Sequence, residues 1–266
     1  ESYLTAHQLN RMEAFYPLHV KVCEECYLVQ LEEYVSAEDI FTEYAYFSSY
    51  SETWLKHAEN YARKMVERFG YQAASLVVEV ASNDGYLLQY FKAKGIPVLG
   101  IEPARNVAVI AEAKGIPTVT KFFGEKTATE LVQAGYSADL LLGNNVLAHV
   151  PDLNDFVEGL RILLRPTGVI TMEFPHLLKL IEGNQFDTIY HEHFSYFSLT
   201  TVERVFAAHQ LVLFDVEELP THGGSLRIYA RHVADVSKPV LPSVSELRKR
   251  EEEAGITSLD LYHSFS

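Results

Sequence analysis

From about residue 75 onward, short β-branched apolar runs alternate with stretches whose apolar residues recur every three or four positions. The short runs read as strands buried on both faces, and the longer period reads as amphipathic helix. This pattern predicts strands over residues 75–81, 97–102, 118–122, 138–142 and 169–173, and a final strand over 226–231. Helices are predicted over 86–94, 105–114, 125–134, 153–164 and 200–208, with 165–168 as a turn. Alternating strands and helices make an α/β, Rossmann-like fold whose sheet is doubly wound and mostly parallel. Upstream, residues 51–69 place Trp54, Ala58, Tyr61, Ala62, Met65 and Val66 on one helical stripe that Gly70 ends. Further upstream, Leu18, Val20 and Val22 alternate ahead of Cys23 and Cys26, and the apolar run 28–31 follows. That is strand, C-x-x-C turn, strand, which is half of a zinc ribbon, because Zn²⁺ takes four ligands and one knuckle supplies two thiolates.

The first strand–turn–helix of the α/β unit carries the most chemistry. Its turn holds Glu79, Ala81, Asn83, Asp84 and Gly85, and the next strand ends in Glu102. An acidic residue at that second strand tip is where such folds hold the hydroxyls of a ribose. A dinucleotide would need G-x-G-x-x-G, so that backbone N–H groups can approach a pyrophosphate. Here there is one glycine among acidic and polar side chains. Acid at that place repels a pyrophosphate and suits a ligand carrying an ammonium and a sulfonium, such as S-adenosylmethionine. Glu79, Asn83 and Asp84 are then expected at its amino-acid end and Glu102 at its ribose. The plainer alternative is a strand–turn–helix with a solvated acidic turn.

Composition narrows the picture. A chain of 266 residues with 48% apolar content can bury a full α/β core beside a smaller unit. A formal charge of −14 argues against a nucleic-acid partner. Without an eighteen-residue apolar run or a signal-peptide pattern, a cytoplasmic protein with no membrane contact is expected. Two cysteines do not suggest a disulfide framework.

Three further segments carry candidate chemistry. Residues 41–61 are aromatic and polar together, with Tyr44 among their four phenols, which suits a ring-shaped polar ligand or a hinge packed on the next domain. His149 follows Asn144 and Asn145 at a predicted strand end. In the segment 187–197, Tyr190, His191, Glu192 and His193 stand together. If extended, they put the two histidines on one face and Tyr190 with Glu192 on the other. That segment could bind a metal, perform acid–base chemistry with a carboxylate orienting an imidazole, or cap the following helix. The turn His222-Gly223-Gly224 allows close backbone approach, and Arg227 after it could meet a diphosphate or stand in a plain hairpin.

Taken in order, C-x-x-C-x-L-V-Q-L, the Tyr44–Ala62 segment Y-x-Y-x-S-x-Y-S-x-T-W-x-x-H-A-x-x-Y-A, E-V-A-S-N-D-G, Y-H-E-H-F-S-Y-F-S and H-G-G-S-L-R are similar to the S-adenosylmethionine-dependent sugar C-methyltransferases. Members of that family methylate C-3 of nucleotide-linked 4-keto-deoxysugars in antibiotic and polysaccharide sugar biosynthesis. The resemblance implies a class I methyltransferase core over residues 51–235 with S-adenosylmethionine as cofactor. It also implies a zinc-ribbon-like unit and aromatic hinge over 1–50 that binds structural Zn²⁺. Cys23 and Cys26 are half of the family's four-cysteine site, and the other pair is expected upstream of Glu1. Residues 236–266 are expected to lead into a further domain. Asn144 and Asn145 would frame the cofactor. His193 would be the base, Tyr190, Glu192 and His149 would lie near the sugar, and Tyr44 would donate a hydrogen bond or position the substrate. The expected partner is a small nucleotide-sugar substrate, bound by a monomer or weak homodimer. An O- or N-methyltransferase acting on another small metabolite is the alternative, and a zinc-ribbon binding module with a degenerate methyltransferase fold is a third reading.

Overall fold

A computed structural model describes residues 4–265. The chain opens with a hairpin, β1 (Val20–Val22) and β2 (Val29–Leu31), followed by a short helix α1 (Ala37–Phe41) and the long helix α2 (Glu52–Phe69). The Ser51 hydroxyl caps the start of α2 by accepting from Trp54 N, and Gly70 ends it in the left-handed conformation. Of the expected stripe, Ala58, Tyr61, Ala62 and Met65 are buried against the sheet.

The alternating unit follows as β3 (Val77–Val80), α3 (Leu88–Lys92), β4 (Val98–Ile101), α4 (Arg105–Ala113), β5 (Thr118–Val119), α5 (Glu125–Gln133), β6 (Ala138–Asn144), α6 (Leu153–Leu163) and β7 (Leu164–Pro175). After α7 (Leu177–Glu182) come β8 (Ser195–Tyr196), α8 (Leu199–Ala208), β9 (Leu211–Leu219), β10 (Ser225–His232), α9 (Pro242–Glu253) and α10 (Leu259–His263). The main sheet runs β5-β4-β3-β6-β7-β10-β9. Its β5-β4-β3-β6-β7 portion is parallel, and β10 pairs antiparallel with both β7 and β9. Strand order reverses at β3, so the crevice beyond the carboxyl ends of β3, β4 and β6 is the place for a ligand.

Several expected boundaries move. The third strand stops at Val119, and β6 continues through Asn144 instead of breaking at Gly143. The expected turn at 165–168 survives as an irregularity within β7, where pairing with β6 steps from Ala138↔Leu164 to Leu140↔Val169. Strand β9, not anticipated from the sequence, forms the sheet edge beside β10. Residues 190–192 form a turn instead of an extended strand, closed by His193 N donating to Tyr190 O. Strand β8, directly after that turn, completes a three-stranded sheet with β2 and β1. The N-terminal hairpin is thereby stitched to the segment carrying His193. Leu31 N donates to Phe194 O, and Phe194 N donates to Ala148 O.

Helix α9 is tied into the core by one buried carboxylate. Glu251 accepts from His176 Nε2 at 2.8 Å, from Leu199 N at 2.6 Å and from Thr200 N at 2.8 Å, so it caps the N-terminus of α8 from outside that helix. Burial alone would push this carboxyl up, but the hydrogen bonds from His176 and Thr200 outweigh it and hold the group below its ordinary range. A depressed folded-state pKa means the contribution is complete above the ordinary carboxylate pKa and fades as pH falls through the folded value. Denaturant midpoints measured from neutral to acid pH should therefore fall for the natural chain. In Glu251→Gln, already weakened by about 2 kcal/mol at neutral pH, the fall should be shallower. Parallel acid profiles would refute this role.

Candidate active site

One cavity of about 740 Å³ opens beyond the carboxyl ends of the parallel strands. It is within the size range of pockets that enclose small molecules. Of the expected cofactor residues, Ala81, Asn83, Glu102, Asn144 and Asn145 line it. The remaining three, Glu79, Asp84 and Gly85, stand outside its lining. From the expected chemical set, Tyr44, His149, Tyr190 and His193 line the same cavity, and Glu192 does not.

The turn after β3 is strained by design of its sequence. Ala81, Asn83 and Gly85 take φ values of 54°, 49° and 74°, alternating with ordinary residues. At Gly85 a Cβ would meet Ile116 Cδ1 at 2.4 Å and Ala111 Cβ at 3.3 Å, so glycine lets the turn pack this closely against the end of α4. The Asn83 carboxamide organises the neighbourhood, because its Oδ1 accepts from Ser48 N and Asp84 N while its Nδ2 donates to Tyr46 O. Glu102 accepts from Asn83 N and Ala104 N, each at 2.9 Å. The segment that brings Tyr44 into the cavity is also held by Asn106, which accepts from Tyr44 N and donates to Tyr44 O.

This end of the cavity is rich in acceptors. Both Glu79 carboxyl oxygens, Asp84 Oδ1 and Asn145 Oδ1 are buried without a hydrogen-bond partner. Asp84 also meets Lys114 Nζ at 3.3 Å. Burial, then the charges of Glu102 and Asp84, push the Glu79 carboxyl well above its ordinary range. Acceptors grouped at strand ends, with no glycine-lined diphosphate cradle, fit a ligand that carries an ammonium, as S-adenosylmethionine does.

The other end holds an imidazole pair whose tautomers follow from their partners. A carbonyl can only accept, so His149 Nδ1–H donates to Glu192 O at 2.8 Å and His193 Nδ1–H donates to Thr188 O at 2.9 Å. Each Nε2 then carries the lone pair. Tyr190 O–H donates to His193 Nε2 at 3.2 Å, and the two imidazole rings lie 4.7 Å apart. Burial lowers both pKa values, to about 3 for His149, where the charge of His193 adds to the effect. Both rings are neutral bases at pH 7. Burial, with the charge of Glu192 second, pushes the Tyr44 phenol up, so it stays a neutral donor. Backbone carbonyls orient these imidazoles, where the sequence had suggested a carboxylate.

Trp54, from the aromatic stretch 41–61, builds a wall of the cavity with partners the sequence did not point to. Trp54 stacks on His57 at 4.8 Å and on Tyr86 at 6.0 Å, and it meets the edge of His222 at 5.5 Å. Behind it, buried Glu173 accepts from His57 Nε2 at 2.9 Å, Arg227 Nη2 at 2.6 Å and Thr221 Oγ1 at 3.0 Å. Arg227 is therefore buried beneath the site and does not meet a diphosphate, because its guanidinium is spent on Glu173 and on the Tyr61 ring. The sequence signal was present in the acidic end of the fifth strand, but its partners lie far away along the chain. Among the described residues, no group of three or more His, Cys, Asp or Glu side chains could hold a metal. His191 does not pair with His193, since its Nε2 meets Pro17 O.

Cys23 and Cys26 stand at the hairpin turn, where Tyr27 N donates to Cys23 O with Tyr27 at φ 60°. Backbone N–H groups of Cys26 and Glu25 hold the Cys23 thiol below its ordinary range. Two thiolates on one knuckle match half of a tetrahedral zinc site. No further described side chain joins them, so the described residues do not make a whole site.

Comparison with known proteins agrees with this layout. Profiles described as "Putative zinc binding domain", "Methyltransferase domain" and "C-methyltransferase C-terminal domain" match residues 1–41, 54–216 and 220–266. C-methyltransferase NovU of Streptomyces niveus is 36% identical over 96% of this chain, and the match spans 60% of that relative's length. A ubiquinone biosynthesis O-methyltransferase of Azorhizobium caulinodans is 25% identical over 40% of this chain and 45% of its own length. Two solved structures share the fold. One is the PH0226 protein of Pyrococcus horikoshii OT3, with a TM-score of 0.55 and 13% identity, covering 70% of this chain and 94% of that one. The other is magnesium protoporphyrin IX methyltransferase of Synechocystis PCC 6803 with bound SAH, with a TM-score of 0.51 and 14% identity, covering 66% and 82%. With the methyltransferase-domain match covering more than half of its length and the two flanking profiles in the same order, the chain belongs to the class I methyltransferase family, with the domain order of a C-methyltransferase.

Proposed function

We propose that the protein is an S-adenosylmethionine-dependent C-methyltransferase that deprotonates C-3 of a nucleotide-linked 4-keto-deoxysugar and methylates the resulting enolate. The observation that carries this reading is the sharing of one cavity by the acceptor-rich strand ends and by a neutral imidazole whose lone pair is directed by a carbonyl bond on its far nitrogen. Oxygen and nitrogen substrates bring their own lone pairs. Carbon does not, so a base is needed, and a C–H beside a ketone is where a base of this strength can act.

Asn83, Glu102, Asn144 and Asn145 would hold the cofactor, with the Asp84 carboxylate and the buried Glu79 carboxyl adding acceptors beneath its amino-acid end. When bound, S-adenosylmethionine supplies an electrophilic methyl group on a sulfonium. His193 Nε2 takes the C-3 proton once the substrate displaces the Tyr190 hydroxyl, and the electron pair of the C–H bond moves onto the carbonyl oxygen. The phenol O–H groups of Tyr190 and Tyr44 donate to that oxygen as its charge develops. His149 packs against the base, and its own Nδ1–H is fixed by Glu192 O, so it keeps the ring of His193 in place. The Zn²⁺ implied by the N-terminal match would be structural and enters no step.

The test is solvent exchange without cofactor. A nucleotide-linked 4-keto-deoxysugar incubated with the protein in D₂O should lose its C-3 proton resonance. Retention of that proton by a preparation that binds S-adenosylhomocysteine would set this substrate class aside in favour of O- or N-methylation.

A further inference from the structure

Backbone strain singles out a residue that the reaction scheme above does not use. Among the described residues, seven non-glycine residues have positive φ, and four of them, Ala81, Asn83, Asn145 and His222, line the cavity. Asparagine and histidine enter the left-handed region more readily than most side chains, but His222 at φ 51°, directly before two glycines, still carries a cost that glycine would not. Non-glycine residues held there cost roughly 1–3 kcal/mol and persist where the surroundings over-determine them.

The surroundings here do so. Thr221 Oγ1 is pinned to the buried Glu173 carboxylate at 3.0 Å, and Glu173 is in turn held by His57 and Arg227. The His222 ring is placed edge-on to Trp54, whose other contacts are His57 and Tyr86. Three elements are thus anchored so that one strained imidazole faces the cavity that Asn144 and Asn145 also line. The cavity holds an acceptor without a partner in Asn145 Oδ1, while the ligand proposed above also brings anionic oxygens, the cofactor's carboxylate and the substrate's enolate, which need donors.

We propose that His222 is a further ligand-contacting residue, whose imidazole N–H donates to an anionic oxygen in this cavity. The inference rests on the proposed function for the identity of that oxygen, which is either the carboxylate at the amino-acid end of the cofactor or the enolate oxygen of the substrate. The strained backbone aims the ring, and the Glu173 network holds the strain. A neutral imidazole keeps one N–H for this purpose, and burial, set against the charge of Glu173, keeps His222 neutral.

The test uses His222→Gly and His222→Asn, both compatible with the left-handed backbone, so the turn survives either change. A merely structural histidine would leave both ligand readouts unchanged or would lower thermal stability with them. The inference instead expects the thermal midpoint of His222→Gly to hold or rise while one readout collapses. Weakening of S-adenosylhomocysteine binding by about tenfold or more in calorimetry, with C-3 exchange intact, assigns the cofactor carboxylate. Loss of about a hundredfold in C-3 exchange, with calorimetry intact, assigns the enolate oxygen. Unchanged affinity and exchange in both variants overturn the inference. If the natural chain itself exchanges no C-3 proton, the substrate reading fails, and calorimetry alone still decides whether His222 holds the cofactor.

Discussion

His193→Gln is expected to lower C-3 exchange and methyl transfer together by about 10³-fold, while S-adenosylhomocysteine affinity stays within a factor of two or so. Glutamine keeps a donor toward Thr188 O but offers no basic lone pair, so the proton on carbon has nowhere to go. The rate of the natural chain should rise through the pH range in which His193 loses its proton. Because burial lowers that pKa, the rise should lie below the range of an ordinary histidine. Equal losses of binding and turnover would instead mean that the substitution had disturbed the cavity. A variant retaining a tenth of the natural rate would place the base elsewhere.

Arg227→Met is expected to cost about 3–5 kcal/mol in chemical denaturation, because it leaves the Glu173 carboxylate buried without its principal cation. Burial pushes Glu173 up, and the bond from His57 and the charge of Arg227 pull it back below its ordinary range. The second change Glu173→Gln, made on top of the first, removes the stranded charge and should recover part of the loss. A cost below about 1 kcal/mol for Arg227→Met would show that His57 and Thr221 suffice. In that case the strained turn at His222 would be held by Thr221 and Glu173 without help from Arg227.

Much of the architecture could be read from local pattern. The β3 turn was legible because strand, turn formers and helix follow one another within a dozen residues, and each has its own local signal. The absence of a glycine-rich diphosphate cradle was equally local. Where the expectation failed at residues 190–193, the period-two argument presupposed a neighbouring strand. The segment instead closes a turn through His193 N and Tyr190 O, and this turn brings Tyr190 O–H onto His193 Nε2. Strand β9 had the needed alternation in Leu211, Leu213 and Val216, but it lies outside the strand–helix alternation that guided the reading. The Glu173 network was out of reach for a different reason. Its members His57 and Arg227 lie 116 and 54 residues away, and no local rule couples positions so distant. Tautomers fixed by Thr188 O and Glu192 O belong to the same class, since they depend on where a carbonyl points.

Where the methyl group goes separates carbon methylation from methylation of oxygen or nitrogen. Incubating the protein with S-adenosylmethionine labelled with ¹³C at the methyl and a nucleotide-linked 4-keto-deoxysugar, then recording the product by carbon NMR, decides it. The account predicts a labelled methyl bonded to carbon, with C-3 of the sugar losing its proton. A labelled methyl on oxygen or nitrogen, with the C-3 proton still in place, would contradict it.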